Sequence, residues 1–193
     1  MPNGESLRER KRRLVRQRII QAADELFAAN GYDSVSVTDI AAHADVGRTT
    51  FFRYFGDKAE VVFAHEEDIL ERITQFAAAE AVAPARTAAE AVAQLRAIVV
   101  ALCAYASDNI DGYALHYELV EKHLELRAHD ALKTQLIADR FAELLVGRGT
   151  SEPTAVFAGH IALACYQIAR RRATSPDQLG AEADAAFDQL GAL

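Results

Sequence analysis

Period-two alternation of apolar and polar residues is almost missing from this 193-residue chain, and with it any strong case for β-strands. Tryptophan is absent, and only two cysteines occur, Cys103 and Cys165. Neither belongs to a C-x-x-C spacing and both sit inside apolar helical patterns. They read as reduced, buried thiols in preference to a disulfide or redox pair. No apolar run approaches the roughly 18 residues of a membrane span; the longest, AIVVALCAYA, is about half that length. Charges separate the first apolar residues, Leu7 and Leu14, so no secretory signal is read and the chain is expected in the cytoplasm, away from membranes. A G-x-S-x-G elbow, a P-loop and paired E-x-x-H motifs are also lacking, which removes the usual supports for a helical hydrolase, oxidase or nucleotide enzyme.

What remains is helical. Apolar residues recur at helical spacing, and the few glycines and prolines partition the chain. A first helix is expected from about Leu7 to Asn30, with a stripe of Leu14, Ile19, Ile20, Ala23, Leu26 and Phe27 and a left-handed cap at Gly31. Ser36 and Asp39 have capping-box spacing before a helix of about Val37 to His43. A third helix covers about Arg48 to Phe55, and a long fourth one runs from Lys58 to about Ala81, stopped by Pro84. Further helices follow over about Arg86–Ser107 and Tyr113–Leu124, with LRAHD as a break or a continuation. The last three cover residues 128–146, a segment from Ser151 through Arg172, and one opened by Ser175 and Pro176.

Charge is distributed unevenly. Residues 1–23 carry seven cations against Glu5 and Glu9, so 7 − 2 = +5, while the formal total is −7; the remaining residues therefore carry −12. A basic end on an acidic body suits a protein of which one end meets phosphate. Next to it lies VTDIAAHADVGRTTFFRYFGDK, Val37 to Lys58. Ala41 and Ala44 are small enough for two helices to cross closely, and Asp45 enters the left-handed conformation of a tight turn more readily than most side chains. Val46, Phe51 and Phe55 seat the second helix, leaving Arg48, Thr49, Thr50, Phe52, Arg53 and Tyr54 outward. Hydroxyls and guanidinium forks at the start of such a helix reach base edges in a major groove. Ser36 and Thr38 are placed to clamp a backbone phosphate. The arm RERKRRLVRQR either extends the first helix, enters a minor groove as a flexible segment, or is a solubilising tail.

The stretch IIQAADELFAANGYDSVSVTDIAAHADVGRTTFFRYFGDKAEVV, Ile19 to Val62, resembles the N-terminal domain of the TetR-type transcriptional repressors, with A-A-x-x-L-F, G-Y, I-A-x-x-A and F-x-x-K landmarks in place. The resemblance implies an all-α protein: a three-helix, homeodomain-like helix-turn-helix domain over residues 1–60, then a larger helical ligand-binding and dimerisation domain over residues 61–193. It implies a homodimer on a double-stranded, near-palindromic DNA operator, released by a small-molecule effector, with no cofactor and no enzymatic activity. On it, Arg48, Thr49 and Thr50 fall where bases or nearby phosphates are met, Phe52 and Tyr54 on phosphate-contact positions, Thr38 on a contact of the second helix, and Lys58 on the lysine that opens the fourth. Phe52 stands where tyrosine is common, Tyr54 where histidine is frequent, and Asp45 and Gly47 where glycine and serine are usual, so the recognition helix loses a side-chain cap.

Beyond about residue 65 the resemblance fades. It implies a dimer interface on the last two long helices, and Val156–Ala169 and Leu179–Leu190, apolar and rich in small residues, fit. Polar groups on apolar faces mark an effector pocket: Cys103, Tyr105, Tyr113, His116, Tyr117, His160 and Tyr166. Glu125 and His129 share an i, i+4 face without a Cys/His framework, so no metal is expected. The run Arg170–Arg172 is read as cations complementing a helix C-terminus. An architectural or protein-interaction helical module is the alternative; it would leave the Arg48–Thr50 cluster idle.

Overall fold

Helical periodicity becomes helix almost throughout. The computed structural model describes residues 6–64, 72–75, 82–106 and 110–191, apart from the side chains of residues 105, 106, 110 and 111. No strand occurs among the described residues, and the chain forms two compact units, residues 1–65 and 66–193.

The first unit holds α1 (Leu7–Asn30), α2 (Val37–His43), α3 (Arg48–Tyr54) and α4 (Lys58–Val62). A capping box opens α1: the Glu9 N–H donates to Ser6 Oγ at 3.2 Å, and the Ser6 N–H donates to Glu9 Oε2 at 2.9 Å. The arginine-rich segment is therefore regular helix from Leu7 onward, neither a loose arm nor a tail. Its buried stripe is Ile19, Ile20, Ala22, Ala23 and Phe27; Leu14 is half exposed, so the apolar face starts more than a turn later than expected. Gly31 ends the helix at φ 76°, ψ 152°, a conformation open mainly to glycine but not the left-handed helical one anticipated.

Ile40, Ala41, Phe51 and Phe55 complete this small core, each large side chain contributing about 1.5–3 kcal/mol by burial. Two polar clamps tighten it. His43 Nε2 lies 2.8 Å from Glu25 Oε2, fastening α2 to α1, and Arg16 Nη2 donates to the Ala64 carbonyl at 2.8 Å. The helix expected from Lys58 to about Ala81 meets an interruption at Phe63, which leaves helical geometry (φ −95°, ψ 9°); residues 65–71 and 76–81 lie outside the described residues.

The second unit is built from α5 (Ala88–Ala106), α6 (Ile110–Lys122), α7 (Leu124–Gly147), α8 (Glu152–Arg172), a 3-10 turn at Pro176–Gln178 and α9 (Leu179–Leu190). The chain breaks at His123, which is extended (φ −116°, ψ 116°); LRAHD continues α7 without interruption. Helix α8 is central and packs against α5, α7 and α9. Ala155, Ala158, Gly159 and Ala162 on α8 are buried, and a Cβ at Gly159 would stand 2.7 Å from the Ala138 carbonyl oxygen of α7. Helix α9 turns Leu179, Ala183, Ala186 and Phe187 inward and is fastened to α5 by Arg96, which reaches Asp184 and Asp188 at 2.7 Å each.

Cys103 and Cys165 are buried free thiols, and burial pushes the Cys103 thiol up to about 12. No described helix is long and apolar enough to cross a membrane.

Candidate nucleic-acid interface

The turn between α2 and α3 depends on one backbone conformation. Asp45 adopts φ 53°, where an Asp side chain is tolerated better than most. The tight turn that results is held by Val46 N–H donating to the Ala41 carbonyl at 2.9 Å and Asp45 N–H to that of Ala42 at 3.1 Å. Ala41 and Ala44 are buried at this crossing, so the small side chains admit the close approach of the two helices. Gly47 then caps α3 with extended backbone and no side-chain hydrogen bond, the weaker start that its sequence implies.

With Phe51 and Phe55 buried, the opposite face of α3 is set. Arg48, Thr49, Phe52 and Arg53 are exposed; Thr50 and Tyr54 are half-buried. Phe52 is 48% exposed, with its ring edge-on to buried Phe51. The Arg53 guanidinium lies 5.5 Å from the Tyr54 ring centroid and that of Arg48 6.0 Å from that of Phe52, so both cations hold loosely to an aromatic neighbour and present their donors outward. Thr38 is exposed at the start of α2.

Ser36 and Lys58 have occupations of their own. Ser36 Oγ donates to Asp39 Oδ2 at 2.6 Å and accepts from the Asp39 N–H at 3.2 Å, while its own N–H donates to Asp39 Oδ2 at 2.9 Å. Those bonds, side chain first and backbone second, hold the Asp39 carboxyl below its ordinary range. Lys58 Nζ donates to the carbonyls of Tyr32 (2.9 Å) and Val35 (3.3 Å) and sits 4.0 Å from the Tyr32 ring centroid. In the free chain it clamps the α1–α2 loop, a positioning role that its expected contact with phosphate does not include. The signal for this was absent from local sequence, because Tyr32 and Val35 lie 26 and 23 residues away.

In the second unit the candidate pocket residues separate. Tyr113, Tyr117 and Tyr166 converge: the Tyr117 O–H donates to the Tyr113 oxygen at 2.7 Å, and the Tyr166 oxygen is 2.8 Å from that of Tyr117 and 3.1 Å from that of Tyr113. Burial raises all three phenols above the ordinary tyrosine range, so each remains a neutral donor at physiological pH. Cys103 joins Tyr113 and Tyr166 around an apolar cavity of about 20 Å³. His116 is buried with its ring edge-on to Tyr117. His160 does not belong: it is exposed, beside Gln135 Nε2 (3.2 Å) and the Val156 carbonyl (2.9 Å). The side chain of Tyr105 lies outside the described residues.

Arg170, read from sequence as a helix-end cation, belongs to this cluster. Its side chain is 16% exposed, pairs with Asp130 at 3.2 Å and lies 3.7 Å over the Tyr117 ring. Only its neighbours Arg171 and Arg172 are exposed. An arginine directly after the buried Ala169 is the trace this left in sequence; the stacking on Tyr117 needed the fold.

Among the described residues, an uncovered apolar face lies on α7 and α8. Leu132, Leu136, Val156 and Phe157 are exposed, and the Gln135–His160 contact places them on one surface. The expected partner of α8 in a dimer interface, α9, presents Ala181, Ala185, Asp188 and Gln189 outward instead.

Residues 19–64 match the model of the bacterial regulatory proteins of the tetR family. The transcriptional regulator TcmR of Streptomyces glaucescens is 35% identical over 152 residues, covering 76% of this chain and 66% of that protein. The chain thus spans just under two thirds of that relative's length. The FadR repressor of Thermus thermophilus, solved with lauroyl-CoA, shares the fold with a TM-score of 0.56 at 24% identity, over 91% of this chain and 92% of that one. SmeT, the repressor of a Stenotrophomonas maltophilia multidrug efflux pump, solved with triclosan, gives 0.59 at 16% identity over 93% and 90%.

Proposed function

We propose that the chain, whose residues 19–64 match the tetR family of bacterial regulatory proteins and which is 35% identical to the regulator TcmR, is a cytoplasmic, homodimeric helix-turn-helix repressor released from its operator by a small molecule. The observation that carries the DNA side is the face of α3: Arg48, Thr49, Phe52 and Arg53 project outward over a seat of buried Phe51 and Phe55. Guanidinium and hydroxyl groups at the start of a short helix read base edges; Thr38, Thr50 and Tyr54 add contacts to phosphate or sugar. Phe52 offers a ring to a thymine methyl or to sugar. The exposed cations Arg8, Arg10, Lys11, Arg12 and Arg13 on the first turns of α1 supply the sequence-independent, salt-sensitive part of the affinity.

Two copies meet through α7 and α8, where Leu132, Leu136 and Phe157 would otherwise face water. The effector binds in the second unit at the tyrosine cluster. Triclosan bound to SmeT and lauroyl-CoA bound to FadR support small-molecule control in a protein of this fold. Coupling between effector and DNA of the usual 1–3 kcal/mol, roughly 5- to 150-fold in affinity, suffices for a switch.

The test is fluorescence anisotropy with DNA from upstream of the protein's own gene. Specific competitor is expected to displace the probe far better than random DNA, and Arg48→Ala to cost about 1–3 kcal/mol at one base pair. A loss spread evenly over all sequences would make Arg48 a phosphate ligand; binding without any sequence preference would favour an architectural module over a repressor.

A further inference from the structure

The hydroxyls of Tyr113, Tyr117 and Tyr166 form a closed ring between two spaces of different character. On one side is the apolar cavity of about 20 Å³, walled by Val99, Leu102, Ile137 and Phe141 and too small for more than a water. On the other is an open cleft of about 300 Å³ that Tyr113 and Tyr117 share with Arg170, Pro176 and Leu179, a volume at the lower end of small-molecule sites.

Oxygen separations of 2.7, 2.8 and 3.1 Å let each hydroxyl donate once and accept once. All three protons are then used inside the ring. A ligand that only accepts, such as an ether or ketone, has to break one link and leave a buried oxygen short of a donor, an expensive vacancy. A cation meets the Arg170 guanidinium, 3.7 Å over the Tyr117 ring. A carboxylate finds Arg170 already paired with Asp130 and meets Glu118 and Glu121 on the cleft wall. A hydroxyl both donates and accepts once, so it enters as a fourth member and leaves nothing unpaired. The cleft wall carries Tyr113, Tyr117 and the Arg170 guanidinium beside apolar Ala114, Pro176 and Leu179, a lining that favours an aromatic body carrying the hydroxyl.

We propose that the cleft between α6, α8 and the Pro176 turn takes a neutral hydroxylated aromatic molecule, a phenol, whose hydroxyl inserts into the Tyr113–Tyr117–Tyr166 ring. The proposal rests on the effector-controlled reading above for its regulatory meaning, and stands or falls separately as a binding site.

The probe is 2-naphthol, titrated calorimetrically into the full chain beside 2-methoxynaphthalene, which lacks the donor, and 2-naphthoate, which carries a charge. 2-Naphthol is expected to bind at least about tenfold tighter than either. Tyr117→Phe and Tyr166→Phe, each checked by thermal melting, are expected to lower 2-naphthol affinity to that of the ether while leaving the ether unchanged. Equal affinities for naphthol and ether, a preference for the naphthoate, no binding of any of the three, or a ratio that survives in whichever Tyr→Phe variant remains folded would overturn the proposal. The same compounds are then added to the protein–DNA complex. Naphthol that binds through the tyrosines without releasing DNA sinks the effector-controlled reading and keeps this site. DNA release by another compound, together with a failed naphthol arm, does the reverse.

Discussion

The hydroxyl of Ser36 is committed before any DNA arrives. It closes a capping box with Asp39, and Ser36→Ala is expected to destabilise the protein by about 1 kcal/mol, read as a lower urea midpoint at unchanged slope. Ser36→Thr keeps the hydroxyl that donates to Asp39 and should hold stability near the wild type. If Ser36→Ala left stability untouched and reduced only DNA affinity, the residue would be a phosphate ligand first and a cap second. Because Asp39 titrates below its ordinary range, the box is complete at neutral pH and is lost as pH falls through that lowered value. Lys58 is the second residue of the expected DNA-contact set that has internal partners in the free chain. Lys58→Met keeps the aliphatic stem but leaves the carbonyls of Tyr32 and Val35 without their charged donor, at an expected cost of about 1.5–3 kcal/mol. A stability loss at low and high salt alike, with an unaltered salt slope of DNA binding, is the outcome expected of a loop clamp; a flattened slope with unchanged stability would return Lys58 to the phosphate backbone.

Among the elements, α7 and α8 show how closely two helices can be set by one missing methyl group. The Gly159 position has no room for a Cβ because the nearest obstacle is backbone, the Ala138 carbonyl, which cannot rotate away as a side chain would. Gly159→Ala should therefore force the helices apart and cost about 1–3 kcal/mol despite the better helix propensity of alanine. Chemical denaturation of the variant decides it: a stability gain would mean that the helix pair adjusts freely and that the contact is not tight. Helix α1 makes the complementary point. Its first two turns are exposed, and local chemistry, the Ser6–Glu9 box, starts a helix whose fully buried residues begin at Ile19.

At the scale of the whole molecule, the proposed pairing of two copies through α7 and α8 has a direct test. Phe157 is 55% exposed in the single chain, and Phe157→Glu places a charge from each copy in a two-fold interface. Sedimentation velocity should show a shift from dimer to monomer at micromolar concentration, with operator affinity falling in parallel. A dimer that persists in this variant would move the interface elsewhere.

The chain's own pattern determined the all-α class, α2 and α3 nearly to the residue, the capping box at Ser36 and the left-handed turn at Asp45, because each depends on partners within a few positions. Of the six α3 residues expected outward, Arg48, Thr49, Phe52 and Arg53 are exposed opposite Phe51 and Phe55, as helical period requires, while Thr50 and Tyr54 are half-buried. Contacts between residues far apart in sequence were decided only by tertiary structure. Lys58 turned to carbonyls of the α1–α2 loop, His160 left the pocket, Arg170 stacked on Tyr117, and the exposed apolar face passed from α9 to α7. A tyrosine, a histidine or an arginine on a helix is equally compatible with core, surface or site until packing fixes which neighbours share its face, and that choice is a property of the assembled helices, not of any one of them.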